Sequence, residues 1–150
     1  KAETKPGDEE SRHASRSFGA LFVEVQVDES LGIVRVPRIV GTYSVGRLMN
    51  GKTALSQLQG GIVWGLGQAL FEESLLDPRY GRFANGNLAE YHVPVNADVH
   101  AIDVAFVDED DTLFNPLGAR GIGEIGITGV AGAVANAVFH ATGKRVRVVR

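Results

Sequence analysis

Hydrophobic and polar positions alternate along residues 18–27. Leu21, Val23, Val25 and Val27 fall on one face, and Glu24 and Gln26 on the other. A period of two marks a half-buried strand. Asp28-Glu29-Ser30-Leu31-Gly32 supplies a turn, and residues 33–40 form a second strand, so the two are predicted to make an antiparallel hairpin. Pro37 has no N–H to give a ladder, which puts the second strand at an edge or on a bulge. Residues 42–52 read as a connector. From Thr53, a candidate cap, a helix is predicted to about Leu75, burying Leu55, Leu58, Ile62, Leu66 and Ala69 at helical spacing. Turns are expected at 77–81 and 85–87, an extended segment at 89–95 ended by Pro94, and a strand at 102–107. An acidic, solvated turn at 108–111 precedes a glycine-rich stretch at 115–129. A helix of Ala, Val and Phe139 follows over 129–142, apolar nearly all round and stopped by Gly143. The valines alternating in the basic tail, 144–150, suggest a short strand. The fold expected is α+β: a hairpin and a further strand packed with two buried helices, with a Gly-rich loop before the second.

Glycine refines this picture. The first helix carries a second stripe of Gln57, Gly60, Gly61, Trp64, Gly67 and Gln68, with Gly65 beside it. A helix glycine costs about 1 kcal/mol relative to Ala. Such a stripe implies close approach, either of another backbone or of a ligand. The later stretch places Gly118, Gly121, Gly123, Gly126 and Gly129 around one carboxylate, Glu124. Glu124 either offsets the dipole at a helix start or is fixed by the turn to face a cavity.

Composition excludes several classes. A chain of 150 residues with 44% hydrophobic positions supports one domain with a core. A net charge of −3 offers no broad basic field for nucleic acid or an anionic membrane surface. The absence of cysteine rules out disulfides, thiolate metal sites and iron–sulfur ligation by this chain. No apolar run reaches the roughly 18 residues of a membrane span. Residues 1–16 are almost all polar and are expected to be a poorly ordered lead-in to a domain at 17–150. The start lacks an initiator Met and a signal sequence, so the chain is expected to be processed or a piece of a longer one. The cytoplasm is the expected compartment, with the periplasm as the alternative.

Gly121-Ile-Gly-Glu-Ile-Gly126 matches the G-x-G-x-x-G pattern, but its context rejects a dinucleotide-binding turn. No hydrophobic strand precedes it, and no Asp or Glu follows Glu124 to meet a ribose about 20 residues on. The free N–H groups of the helix entry still offer an anion a place. His13, His92, His100 and His140 are isolated, so no protein-ligated metal is expected. Glu90, two residues before His92, is expected to be solvated or salt-bridged, and no serine nucleophile context occurs.

Two motifs carry a resemblance. Gln57-Leu-Gln-Gly-Gly-Ile-Val-Trp-Gly-Leu-Gly67 and Gly118-Ala-Arg-Gly-Ile-Gly-Glu124 place Gln57 and Glu124 67 residues apart. With Ser17-Phe-Gly-Ala20, Gly46-Arg-Leu-Met-Asn50, Asn87-Leu-Ala-Glu-Tyr-His92 and Thr142-Gly-Lys-Arg-Val-Arg147, the chain resembles the C-terminal part of the molybdenum-cofactor-binding large subunit of the xanthine dehydrogenase/aldehyde oxidase family, over residues 17–147. Arg120 stands where that family commonly has Lys, and Gly51 where Pro often follows the Asn.

The resemblance implies a molybdenum hydroxylase that oxidises aldehydes or N-heterocycles with water as the oxygen source. Its cofactor is a molybdenum pyranopterin (molybdopterin), in bacteria commonly the cytosine dinucleotide. By the same resemblance Glu124 is the general base acting on Mo–OH, Gln57 contacts the cofactor, and Gly60, Gly61, Gly121 and Gly123 let backbone approach the pterin. Implied partners are the remainder of the large subunit, iron–sulfur and flavin subunits or domains, and a small aldehyde or N-heterocycle. A fragment of this kind is expected to be inactive alone. The alternative is a non-catalytic interaction or structural domain whose glycines serve packing.

Overall fold

A computed structural model describes residues 13–14 and 16–147. The expected lead-in at 1–16 falls almost wholly outside them, as do residues 148–150 of the expected tail strand. Residues 144–147 form no strand.

The predicted hairpin forms from β1 (Phe18–Asp28) and β2 (Ile33–Ser44), paired antiparallel. Asp28 closes the turn: its carboxylate accepts from the backbone N–H groups of Ser30 and Leu31 at 3.0 and 3.1 Å. Pro37 lies where the register shifts, opposite the Glu24/Gln26 irregularity, so it sits at a bulge. β2 runs four residues past the expected end at Val40. Its extension holds Tyr43, buried, with its ring over Gly19 and Gly41. Residues 41–44 look like loop because Gly and Thr break the apolar run, yet the neighbouring strands pair them on both sides.

After β2 the chain enters helix α1 (Gly51–Leu70). The N-cap is Asn50 rather than Thr53: Asn50 Oδ1 accepts from the Thr53 N–H at 3.1 Å. The helix stops at Leu70, short of Leu75, because Phe71 leaves helical geometry and Gly67 O accepts from both Phe71 N and Glu72 N. The returning segment fixes this end, with Tyr91 Oη donating to Glu72 at 2.8 Å and Pro94 packed on Gly67. Residues 89–95 are therefore a docked loop and not a strand. A small hairpin, β3 (Leu76–Asp77) with β4 (Arg82–Phe83), surrounds the predicted turn.

β5 (Ala101–Phe106) joins the other side of β2 in parallel, giving the sheet order β1-β2-β5. A parallel pair needs a long crossover, and α1 with its following loops provides it. Helix α2 (Val130–Thr142) packs beside α1. Both helices lie on the face formed by Leu21, Val23, Val36, Ile39, Ile102 and Val104, around Ile62, Leu66, Val130 and Val134. α2 differs from expectation. It buries Val130 and Val134, while Gly132, Asn136, Phe139 and His140 are exposed. On its outer face Arg145 donates to Asn136 Oδ1 at 2.6 Å and lies 3.7 Å over the Phe139 ring.

Ile62 is fully buried between the helices and the sheet. Ile62→Ala is expected to cost about 2–5 kcal/mol, read as a lower urea midpoint by circular dichroism. An unchanged midpoint would contradict this core assignment.

Candidate functional site

The glycine-rich stretch anchors itself through Ile122 and Ile125, packed against Tyr43, Val45 and Leu58. It is also pinned to the end of β2. Arg47 N donates to Gly118 O and Arg120 N to Val45 O, both at 2.8 Å, bridging Gly46 to Ala119. Gly118 takes a positive φ of 72°, and a Cβ there would lie 2.5 Å from Asp110 Oδ1, so only glycine fits.

The side chain of Arg120 locks this junction. It is only 10% exposed and pairs with Glu109 and, at 3.2 Å, with Asp111. It also donates to Ser44 Oγ at 2.5 Å. Ser44 Oγ in turn donates to Glu109, which also accepts from Gly46 N at 3.0 Å. The neighbouring Asp110 pairs with Arg47. The acidic turn at 108–111 is therefore a clamp around a buried guanidinium, and not the solvated turn expected. The Ser44 hydroxyl, then the Gly46 N–H, then the Arg120 charge hold Glu109 below its ordinary carboxylate range.

Of the predicted site residues, the fold brings two directly together. Gln57 Nε2 donates to the carbonyl of Gly123 at 2.5 Å, tying α1 to the turn across 66 residues. Both line a cleft of about 470 Å³, whose walls include Arg47, Asn50, Arg120 and Ile122. Gly121 and Gly123 face open space, where a Cβ would meet nothing within 4 Å. Ser17 Oγ holds the Gly121 carbonyl at 2.6 Å. Gly60 is open as well. Gly61 is not: a Cβ there would lie 2.9 Å from the backbone of Gly126. Its glycine serves the contact between α1 and the turn.

Glu124, the residue after Gly123, is exposed and lies outside the lining of this cleft. Among the described residues no hydrogen bond or ion pair engages its carboxylate. Its carbonyl accepts from Ile127 N at 3.2 Å, so the following turn fixes its backbone. Glu90 is held by Asn87 at 2.9 Å and makes no bond with His92. A larger concavity of about 820 Å³, between β1 and α2, contains none of these residues.

This arrangement has relatives. The family model described as the molybdopterin cofactor-binding domain matches residues 1–100. The chain belongs to that family. Within the molybdopterin-binding family it is 47% identical, over 131 residues, to the aldehyde oxidoreductase molybdenum-binding subunit PaoC of Escherichia coli K12, covering 87% of this chain and 18% of PaoC. It is 35% identical to the xanthine dehydrogenase molybdenum-binding subunit of Escherichia coli O157:H7, covering 89% of this chain and 18% of that protein. Among solved structures, the aldehyde oxidoreductase of Desulfovibrio gigas aligns with a TM-score of 0.77 at 27% identity, over 87% of this chain and 14% of that one. The chain thus spans less than a fifth of the length of these relatives.

The residues of this molybdopterin-binding domain present fit a bulky, polar cofactor beside the cleft. The open glycines leave room for close backbone approach, and Gln57 presents an amide there. Sequence reasoning missed the clamp of Ser44, Glu109, Asp111 and Arg120. The one signal available was the charge pattern, a block of acids nine residues before a lone Arg inside an apolar, glycine-rich stretch.

The lowered Glu109 pKa makes a signed prediction. Its stabilising contribution is complete above the unfolded value of 4.5 and is lost as pH falls through the lower folded value. The stability gap between wild type and Glu109→Gln is therefore expected to narrow as pH drops from 7 to 3. A gap independent of pH in urea titrations would contradict the clamp.

Proposed function

We propose that this chain is the catalytic-base-bearing, C-terminal part of a molybdenum-dependent hydroxylase subunit that oxidises aldehydes or N-heterocycles with water as the oxygen source. One observation carries the reading. Among the described residues no hydrogen bond or ion pair engages the exposed Glu124 carboxylate, one residue past a carbonyl that Gln57 ties to the cleft.

When bound, the molybdenum pyranopterin supplies oxygen transfer and two-electron redox chemistry. This chain supplies position and proton handling. Gln57 and Gly123 shape the cleft wall, and the open backbone at Gly121 and Gly123 lets a flat group approach. The Glu124 carboxylate accepts a proton from a hydroxyl brought within hydrogen-bond reach. The Arg120 clamp fixes the turn, so Glu124 keeps its place without a side-chain anchor. The cytosine dinucleotide is the form of the cofactor we favour. The remainder of the large subunit completes the site and the substrate passage, and iron–sulfur and flavin subunits or domains take the electrons.

In the assembled enzyme, Glu124→Gln is expected to keep its molybdenum and lose about 10²–10⁴-fold in kcat. Near-normal kcat at full metal content would refute the base assignment. The 150-residue chain purified by itself is expected to be inactive and free of molybdenum. Stoichiometric molybdenum by elemental analysis would show instead that the site is complete within it.

A further inference from the structure

We propose that the free edge of β1 receives an extended strand from the remainder of the molybdenum-binding subunit, laid in the groove between β1 and α2. This rests on the reading that the chain works inside such a subunit.

Among the described residues the sheet order pairs β1 on one side only. Its eleven residues extend about 36 Å at ~3.3 Å per residue and leave alternate N–H and C=O groups without a ladder partner. Proteins usually blunt such an edge with Pro, Lys, short length or an inward charge. β1 has no Pro, Lys or Arg, and its charges are Glu24 and Asp28. Among the described residues no strand is left to cover it, since β3 and β4 are two residues long and pair with each other.

The groove follows this edge. Residues 21–25, five in succession, all line it. Successive strand residues point to opposite faces, so a groove touching all five opens on the strand's side and not on one face. The facing wall is the outer side of α2, at Gly132, Ala133, Asn136 and Ala137. These side chains are short, and a Cβ at Gly132 would meet nothing within 4 Å. A backbone ladder beside a wall of small residues edged by Asn136 and His140 fits an added strand, with small side chains toward α2. The relatives are the argument for its source: this chain covers 18% of PaoC, leaving ample polypeptide to donate one strand. The competing occupant is a second copy, β1 against β1.

The test is hydrogen–deuterium exchange on the complete subunit, with molybdenum measured on the same samples. The β1 amides at 19–25 are expected to exchange as slowly as those of β2 at 39–43. Gly132→Trp, at a position where an added Cβ meets nothing within 4 Å, is expected to fill the groove and speed β1 exchange at least tenfold while β2 stays slow. Fast exchange at alternate β1 amides in the wild-type subunit overturns the proposal, and this arm decides even if the variant does not fold. Slow β1 exchange that appears only as protein concentration rises also overturns it, in favour of the second copy. A subunit that binds no molybdenum defeats the functional reading instead, whatever the edge does.

Discussion

The position of Glu124 depends on a buried guanidinium. The turn from Gly118 to Gly126 packs Ile122 and Ile125 against Tyr43, Val45 and Leu58. Arg120 adds a polar constraint by binding Glu109, Asp111 and Ser44 at once. A buried charge costs several kcal/mol to desolvate unless it is paired and hydrogen-bonded. Two carboxylates and a hydroxyl meet that need, leaving only Nε unpartnered. The return is geometric. The end of β2, the acidic turn and the glycine turn become one rigid junction.

With that junction fixed, the glycines divide into two kinds. Gly61, Gly65 and Gly126 are contact glycines: a Cβ at any of them would strike the facing backbone or Val130. They let α1 lie against the turn and the start of α2. Gly60, Gly121 and Gly123 meet nothing. Packing gives no reason for glycine there, and two of them flank the cleft-facing turn that leads to Glu124. Packing therefore accounts for one set of glycines, and the other set leaves open space in the same clusters.

The sheet is finished on one face and unfinished elsewhere. Its helix-covered face holds the core, whereas Phe18 and Phe22 on the other are 62% and 67% exposed. Among the described residues the β1 edge is open as well, and the outer side of α2 is covered only where Arg145 meets Asn136 and Phe139. A domain with this much uncovered apolar surface is suited to sit against other polypeptide, which accords with its match covering only 18% of PaoC.

The hairpin, both helices and the strand at β5 were legible because each rests on a local period, two for strands and 3.6 for helices. The turn at Asp28 and the stop at Gly143 were legible because single residues set them. The pairing of Gln57 with the Gly-Glu turn was visible only through family resemblance, since no local rule links residues so far apart. Tertiary structure decided the rest. Docking of 91–94 set where α1 ends, parallel pairing with β5 extended β2 past Gly41, and the open side of α2 reflects what packs against it and not its own apolar composition. The acidic turn shows the reason most clearly. Sequence records that Glu109, Asp110 and Asp111 are charged, but a carboxylate is solvated or clamped according to what the fold brings beside it, and here the fold brings Arg120 and Arg47.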